Sequence, residues 1–318
     1  MKKSGFFKFI SAVLVIALAA SVFAGCSNSQ KQETEDNGKL NVITSNFPPY
    51  DFLREIGGDK INLKMLISPG AESHSYEPTP QDIANVNSCD VFVYVGGNSD
   101  QWVGSLISSG DNQDMEVVKM MDCVELLDEP EEEGHDHEHE GEEPKDEHVW
   151  TDPGNAVLIV EKLAETLSDA DPENADYYNE NADAYIEKLK ALDKEYSQTI
   201  ENSKRKTLVF GDRFPFGYLV HAYGLDYISA FPGCSTDTEA SAADIAEIID
   251  YVNENDIPVV FYIELSSGKT ADTICEATGA KKLLLHSCHN VSKEDFENGV
   301  TYLRLMENNL ANIKEALN

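Results

Sequence analysis

Six side chains near the middle of the chain, Tyr178, Ala182, Tyr185, Leu189, Leu192 and Tyr196, recur at spacings of 4, 3, 4, 3 and 4. Such a stripe is the apolar face of an amphipathic helix. Asp171-Pro172 supplies a cap and a first-turn residue at its start. The helix is therefore expected over 172–203, roughly 45 Å at 1.5 Å per residue. That exceeds the height of an ordinary α/β lobe, so the helix is expected to be a rigid strut joining two of them.

On either side of the strut, strand and helix signals alternate. Before it, strands are expected at 40–44, 61–67, 90–95 and 115–118, and helices at 46–57, 80–86 and 100–109. A helix at 155–168 leads into the strut. After it, strands are expected at 207–210, 226–231, 259–263 and 281–285, with helices at 216–223, 241–255, 270–278 and 293–317. Continuous apolar runs such as 90–95 suit central parallel strands. The expected fold class is α/β, two parallel-sheet lobes joined by one long bridging helix, with a ligand cleft between the lobes. Neither an internal repeat of 20 to 50 residues nor a glycine-rich phosphate loop is evident in the sequence.

The start of the chain reads as an address. Lys2, Lys3 and Lys8 precede an apolar run at 9–20, too short to span a membrane comfortably, and Val22-Phe23-Ala24-Gly25-Cys26 follows. The pattern resembles a bacterial lipoprotein signal in which Cys26 becomes the lipidated first residue. The folded part is then expected at the cell membrane, lipid-anchored, on its extracytoplasmic face. The expected divisions are a signal peptide (1–26), a flexible tether (27–38), an N-terminal lobe (39–127), an acidic His-rich loop (128–147), a return segment with the bridging helix (148–204) and a C-terminal lobe (205–318). A formal net charge of −34 argues against nucleic acid or an anionic membrane surface as partner and suits a cationic ligand. Five cysteines remain beyond Cys26, an odd number, and no CxxC pair points to a structural zinc knuckle.

Metal chemistry is suggested at two places. Between 128 and 147, twelve of twenty residues are acidic, and His135, His137 and His139 alternate with carboxylates. Such a segment stays solvated, and its imidazoles suit metal capture by a loose loop. His148 stands where that loop re-enters the folded chain. Ligands of open parallel sheets collect beyond the carboxyl ends of strands. His74, Arg213, Glu264 and His286 all follow or end expected strands.

Two stretches extend this reading. Pro69-Gly70-Ala71-Glu72-Ser73-His74-Ser75-Tyr76-Glu77-Pro78-Thr79-Pro80-Gln81-Asp82 and His148-Val149-Trp150-Thr151-Asp152-Pro153 resemble the ligand motifs of the zinc- and manganese-binding lipoproteins of bacterial ABC importers, the cluster A-I substrate-binding proteins. The likeness covers roughly residues 39–318. It implies a divalent metal in the cleft, little hinge motion, and delivery to a membrane permease with its ATPase. The acidic His-rich loop is typical of the zinc members. Two departures stand out. Arg213 occupies the family's third ligand position, and guanidinium has no lone pair to offer. Leu285-His286-Ser287-Cys288 replaces the family's acidic motif after the last strand. The expected ligand set is His74, His148 and His286, with a water, Asp212, Glu239 or Glu264 as the fourth group. Arg213 is expected to pair with Glu264 or Glu239 and hold it near the metal. The competing set keeps His286 structural and makes Glu239 or Glu264 the third ligand. Three imidazoles favour Zn2+, with Mn2+ as the alternative. The rival readings are a manganese-specific protein of the same class, a lipoprotein adhesin, and a zinc hydrolase. Neither a helical His-Glu-x-x-His nor a nucleophile motif supports an enzyme.

Overall fold

The computed structural model describes residues 38–109, 112, 114–129, 144–231 and 240–318. In chain order these form β1 (Leu40–Thr44), α1 (Phe47–Gly57), β2 (Ile61–Met65), α2 (Pro80–Val86), β3 (Val91–Tyr94), α3 (Gln101–Ser109) and β4 (Glu116–Lys119). Next come α4 (Pro153–Ala170) and the long α5 (Ala175–Glu201). The rest is β5 (Thr207–Phe210), α6 (Gly217–Tyr223), β6 (Asp226–Ser229), α7 (Ala242–Glu254), β7 (Val259–Tyr262), α8 (Lys269–Thr278), β8 (Lys281–Leu284), α9 (Lys293–Glu297) and α10 (Tyr302–Leu317).

The strands pair into two four-stranded parallel sheets, in the orders β2-β1-β3-β4 and β6-β5-β7-β8. The two lobes thus repeat one topology, and each has its switch point between its two central strands. Residues just past those strand ends are where a ligand site is expected. Side-chain caps set several helix starts. Thr79 and Asp82 form a capping box before α2, Ser241 and Asp244 one before α7, and Asp152 accepts from Gly154 N at 2.8 Å before α4.

Helix α5 begins after a short 3-10 turn, Pro172–Asn174, and runs 27 residues, about 40 Å. Every member of the expected stripe is buried, joined by Ile186 and Ile200. The helix is fastened to both lobes. Asn181 donates to Ile56 O of α1 at 3.0 Å, and Tyr196 OH donates to Met306 O of α10 at 2.7 Å. A single hydrophobic cluster accordingly runs from Val42 and Phe52 through Trp150 and Tyr185 to Phe210 and Tyr302. Among the described residues no helix is long and apolar enough to cross a membrane. Cys89, Cys123, Cys275 and Cys288 are free thiols, and Cys234 lies outside the described residues.

One expectation fails at the C-terminus. The helix expected over 293–317 is broken into α9 and α10. Gly299 takes φ +70°, a left-handed conformation suited to glycine, and Thr301 caps the new helix by accepting from Arg304 N at 3.1 Å. The break lets buried Asp51 of α1 accept from Tyr302 N at 2.6 Å, while Arg54 donates to Val300 O at 2.8 Å. Burial pushes the Asp51 carboxyl up to about 6, against the lowering effect of Arg54.

Gly211, at the end of β5, donates its N–H to Phe261 O at 2.9 Å. A Cβ there would lie 2.4 Å from the Cα of buried Ala271 in α8. Gly211→Ala is expected to destabilise the metal-free protein by about 1–3 kcal/mol or more, the cost of overpacking. Urea unfolding measures it, and a variant as stable as the parent would contradict this tight β5–α8 approach.

Candidate metal centre

Three segments converge between the lobes. The loop after β2 carries His74, and it is tied to the opposite lobe. Buried Asn290 donates to both Ser68 O and Ala71 O at 2.9 Å, and Gly70 N donates to Val291 O at 2.7 Å. His148 follows the stem of the acidic loop. There Asp128 and Lys145 form an antiparallel bridge, Glu129 N donates to Pro144 O, and Asp146 N donates to Leu127 O. Tyr218 OH clamps the stem, accepting from Leu127 N at 3.2 Å and donating to Asp146 O at 3.0 Å.

The acidic segment was expected to stay solvated as far as Glu147, yet Asp146 and Glu147 are buried. They act as orienting acids. Asp146 Oδ1 lies 2.7 Å from His148 Nδ1 and accepts from His148 N at 2.9 Å. Glu147 Oε1 lies 3.3 Å from His74 Nδ1, and Ser99 Oγ bridges the two, 2.9 Å from that nitrogen and donating to the carboxylate. Ser99 N also donates to Glu147 Oε2 at 3.0 Å. Burial works against the Glu147 carboxylate, but His74, His148, His289 and Ser99 outweigh it and hold its pKa well below the usual range. Carboxylates at Nδ1 select the tautomer that presents the Nε2 lone pair.

His289 completes the group. Ligand atoms of His74, His148 and His289 lie within 4.8 Å of one another, and this is the cluster of potential metal-holding residues found among the described residues. Ring centroids are 4.7 Å apart for His74–His289, 5.3 Å for His148–His289 and 5.8 Å for His74–His148. Trp150 backs the set, 5.1 Å from the His289 ring, with its Nε1 donating to Ser287 O at 2.7 Å. Burial, and then the neighbouring His74 and His148, push the His289 pKa well below 6.5, which keeps its lone pair available at neutral pH.

His74 and His148 therefore meet as expected, whereas His286 does not join them. His286 N donates to Asn309 Oδ1 at 2.8 Å, and its O accepts from Asn309 Nδ2 at 2.7 Å. Its Nδ1 accepts from Cys288 N at 2.9 Å and sits 3.6 Å from Glu264 Oε2. The physical reason is the turn. Cys288 takes φ +62°, rare for a residue with a Cβ, and the chain then brings His289 to His74 and His148 while Asn309 of α10 holds the backbone of His286. The spacing His286-Ser287-Cys288-His289 offered two imidazoles after the last strand. Only the left-handed Cys288 distinguishes them, and no residue type announces it.

The other expected residues are placed as follows. Asp212 is committed to a turn, accepting from Arg213 N, from Ile263 N and from Ser266 Oγ. Glu264 accepts from Ser287 N at 2.7 Å and from Ser287 Oγ. Arg213 Nη2 lies 3.5 Å from Oε2 of Glu72, an acid not considered from the sequence as its partner. Glu239 lies outside the described residues, as do Cys26, His135, His137 and His139. Two voids flank the imidazoles. One of ≈ 20 Å³ is lined by Glu72, His74, Arg213, Glu264 and His289 among others. The other, ≈ 200 Å³, reaches from His74 and His148 to Glu129 and Lys145 in the stem of the acidic loop.

In a tetrahedral zinc site, ligand nitrogens at 2.0–2.1 Å from the metal are about 3.3 Å apart. Small side-chain movements would bring these three within that distance. The donor set, three imidazoles (His148 and His289 buried, His74 half-buried) with carboxylates behind two of them, suits a borderline-soft divalent cation.

The family model described as "Zinc-uptake complex component A periplasmic" matches residues 42–316. The zinc-binding lipoprotein AdcA of Streptococcus pneumoniae is 37% identical over 95% of this chain, which spans 60% of that relative's length. The high-affinity zinc uptake system protein ZnuA of Bacillus subtilis is 36% identical over 98% of each chain. The Zn(II)-bound ZnuA-like domain of S. pneumoniae AdcA superposes with a TM-score of 0.74 at 34% identity, covering 88% of this chain and 99% of that domain. With the family model spanning both lobes and these identities sustained along the chain, the protein belongs to the zinc-uptake component A family.

Proposed function

We propose that this chain is the extracytoplasmic metal-binding component of an ABC importer. It captures zinc on His74, His148 and His289 and delivers it to a membrane permease driven by an ATPase. The observation that carries the reading is the meeting of three imidazoles from distant stretches in one buried spot, two of them oriented by Asp146 and Glu147. Three nitrogen ligands favour zinc over manganese, which prefers oxygen. The names borne by the relatives, zinc-binding lipoprotein and zinc uptake protein, support import over a hydrolase or an adhesin. A lipid anchor at Cys26 rests on the leader pattern and on the lipoprotein name of the streptococcal relative. Zinc-limited growth of a deletion strain, rescued by the parent gene but not by His148→Ala, tests the importer role; zinc-independent growth would favour the adhesin.

At the site, His74→Ala, His148→Ala and His289→Ala are each expected to weaken zinc binding well beyond tenfold and to remove most of the thermal stabilisation by zinc. His286→Ala is expected to change affinity by less than about threefold, and Asp146→Asn to weaken it by about 10–100-fold through the lost orientation of His148. Competition titration against a chromophoric chelator reads all five. Zinc binding that survives His289→Ala and vanishes in His286→Ala would reverse the assignment.

The acidic loop supplies auxiliary capture in this reading. Its stem, at Glu129 and Lys145, borders the larger void beside His74 and His148. Deletion of 131–142 is expected to lower the zinc stoichiometry while leaving the tight step in place, because His135, His137 and His139 are not among the clustered imidazoles. Calorimetry that shows the tight step lost would instead give the loop a ligand of that site.

A further inference from the structure

A metal-bound imidazole is held in place by whatever accepts from its other ring nitrogen. His148 has Asp146 at that position, and His74 has Ser99 and Glu147. The His289 ring touches His74, His148 and Trp150. Among the described residues its hydrogen bonds run through its backbone alone. His289 N donates to Ser287 Oγ at 3.2 Å, and its O accepts from Phe47 N at 3.4 Å.

That last contact sets the end of β1 against His289. Ser45 continues the strand, its N donating to Val93 O at 3.0 Å and its O accepting from Ile67 N at 3.0 Å. Residues 45–47 thus lie at the switch point of the first sheet, where β1 meets β3. There Asn46 is 1% exposed, and both polar atoms of its side chain lack a hydrogen-bond partner, as does Ser45 Oγ. Unmet buried polar groups are costly and few in native structures. The ordinary task of an asparagine at this position is closed to it. Asn46 is the N-cap of α1, and a cap side chain accepts from the N–H two or three residues on. Those residues are Pro48 and Pro49, which have no N–H, and no cap bond forms. Strand alternation puts Asn46 on the face of β1 that carries Val42, towards the core cluster that holds Trp150.

We propose that Asn46 is the positioning residue of His289: when the imidazoles close on a metal, Asn46 Oδ1 accepts from the His289 ring nitrogen that the metal does not take. This rests on the three-imidazole reading above. Asn46 then does for His289 what Asp146 and Glu147 do for the other two rings, with a neutral amide in place of a third buried carboxylate. The hydrogen bond missing from the metal-free site is made in the loaded one. Asn46 therefore lowers the stability of the first and raises the affinity of the second.

Asn46→Leu, close in shape and without side-chain polar atoms, separates this role from a structural one. It is expected to raise the urea midpoint of the metal-free protein, because an unmet buried amide is removed. It is also expected to weaken zinc binding by about 10–100-fold in chelator competition, the usual loss when the group behind a metal-bound imidazole goes. Asn46→Asp keeps an acceptor there and is expected to bind zinc at least about tenfold more tightly than Asn46→Leu. In 15N-histidine NMR spectra of the zinc-loaded protein, Asn46→Leu is expected to move one ligated ring N–H signal, distinct from those moved by Asp146→Asn and Ser99→Ala. Zinc affinity and ring signals equal in Asn46→Leu and parent overturn the proposal and leave Asn46 to buried water alone. A urea midpoint that falls along with the affinity overturns it too, by making Asn46 structural. So does an Asn46→Asp variant that binds no more tightly than Asn46→Leu. Zinc bound equally well by His289→Ala and parent defeats the three-imidazole reading itself, an outcome distinct from a His289-dependent site that ignores Asn46.

Discussion

The site exists because helix α5 holds two separate sheets in a fixed relation. Each lobe closes its own four-stranded sheet, and neither can place the other's loops. Helix α5 buries Tyr178, Tyr185, Leu189, Leu192 and Tyr196 in the common core and ties its two ends to α1 and α10 through Asn181 and Tyr196. A long helix curves only gently unless a proline, a bulge or an inserted group kinks it. The helix and its two ties thus link the lobes that carry the β2 and β8 loops. Local ties finish the job, above all Asn290 gripping the backbone of the His74 loop and Trp150 gripping Ser287.

On that frame, the chemistry is one of orientation. A carboxylate behind an imidazole selects the tautomer and stiffens the ring, and here the two acids come from consecutive residues, Asp146 and Glu147, next to a ligand candidate, His148. One short stretch thus serves two histidines in different segments. The cost is the burial of two carboxylates, offset by hydrogen bonds from Ser99 and the imidazoles. The same stretch closes the stem of the acidic loop, so that stem and the imidazole cluster share one continuous chain segment.

Much of this was legible in the sequence. Strand and helix positions follow hydrophobic period and capping chemistry, and the stripe from Tyr178 to Tyr196 named the buried face of α5 before its neighbours were known. His74 and His148, which the fold brings together, stand after a strand and at the loop return, and the resemblance of their motifs marked both. What was not legible depends on backbone turns and tertiary partners. The break before α10 is written as Asn298-Gly299 and Thr301, signals of an end and a start inside the single helix expected over 293–317. His289 was hidden behind His286 because a left-handed conformation is rare for cysteine and no neighbouring residue type signals it. Arg213 Nη2 also lies 3.5 Å from Glu72 of the facing lobe, a long-range contact that no spacing rule reports.

The central claim is the identity of the three ligands, and anomalous diffraction from crystals of the zinc-loaded protein measures it directly. The account predicts one strong zinc peak about 2.0–2.1 Å from a nitrogen of each of His74, His148 and His289, with His286 Nδ1 still accepting from Cys288 N. A peak coordinated by His286, or one that leaves His289 out, would contradict it.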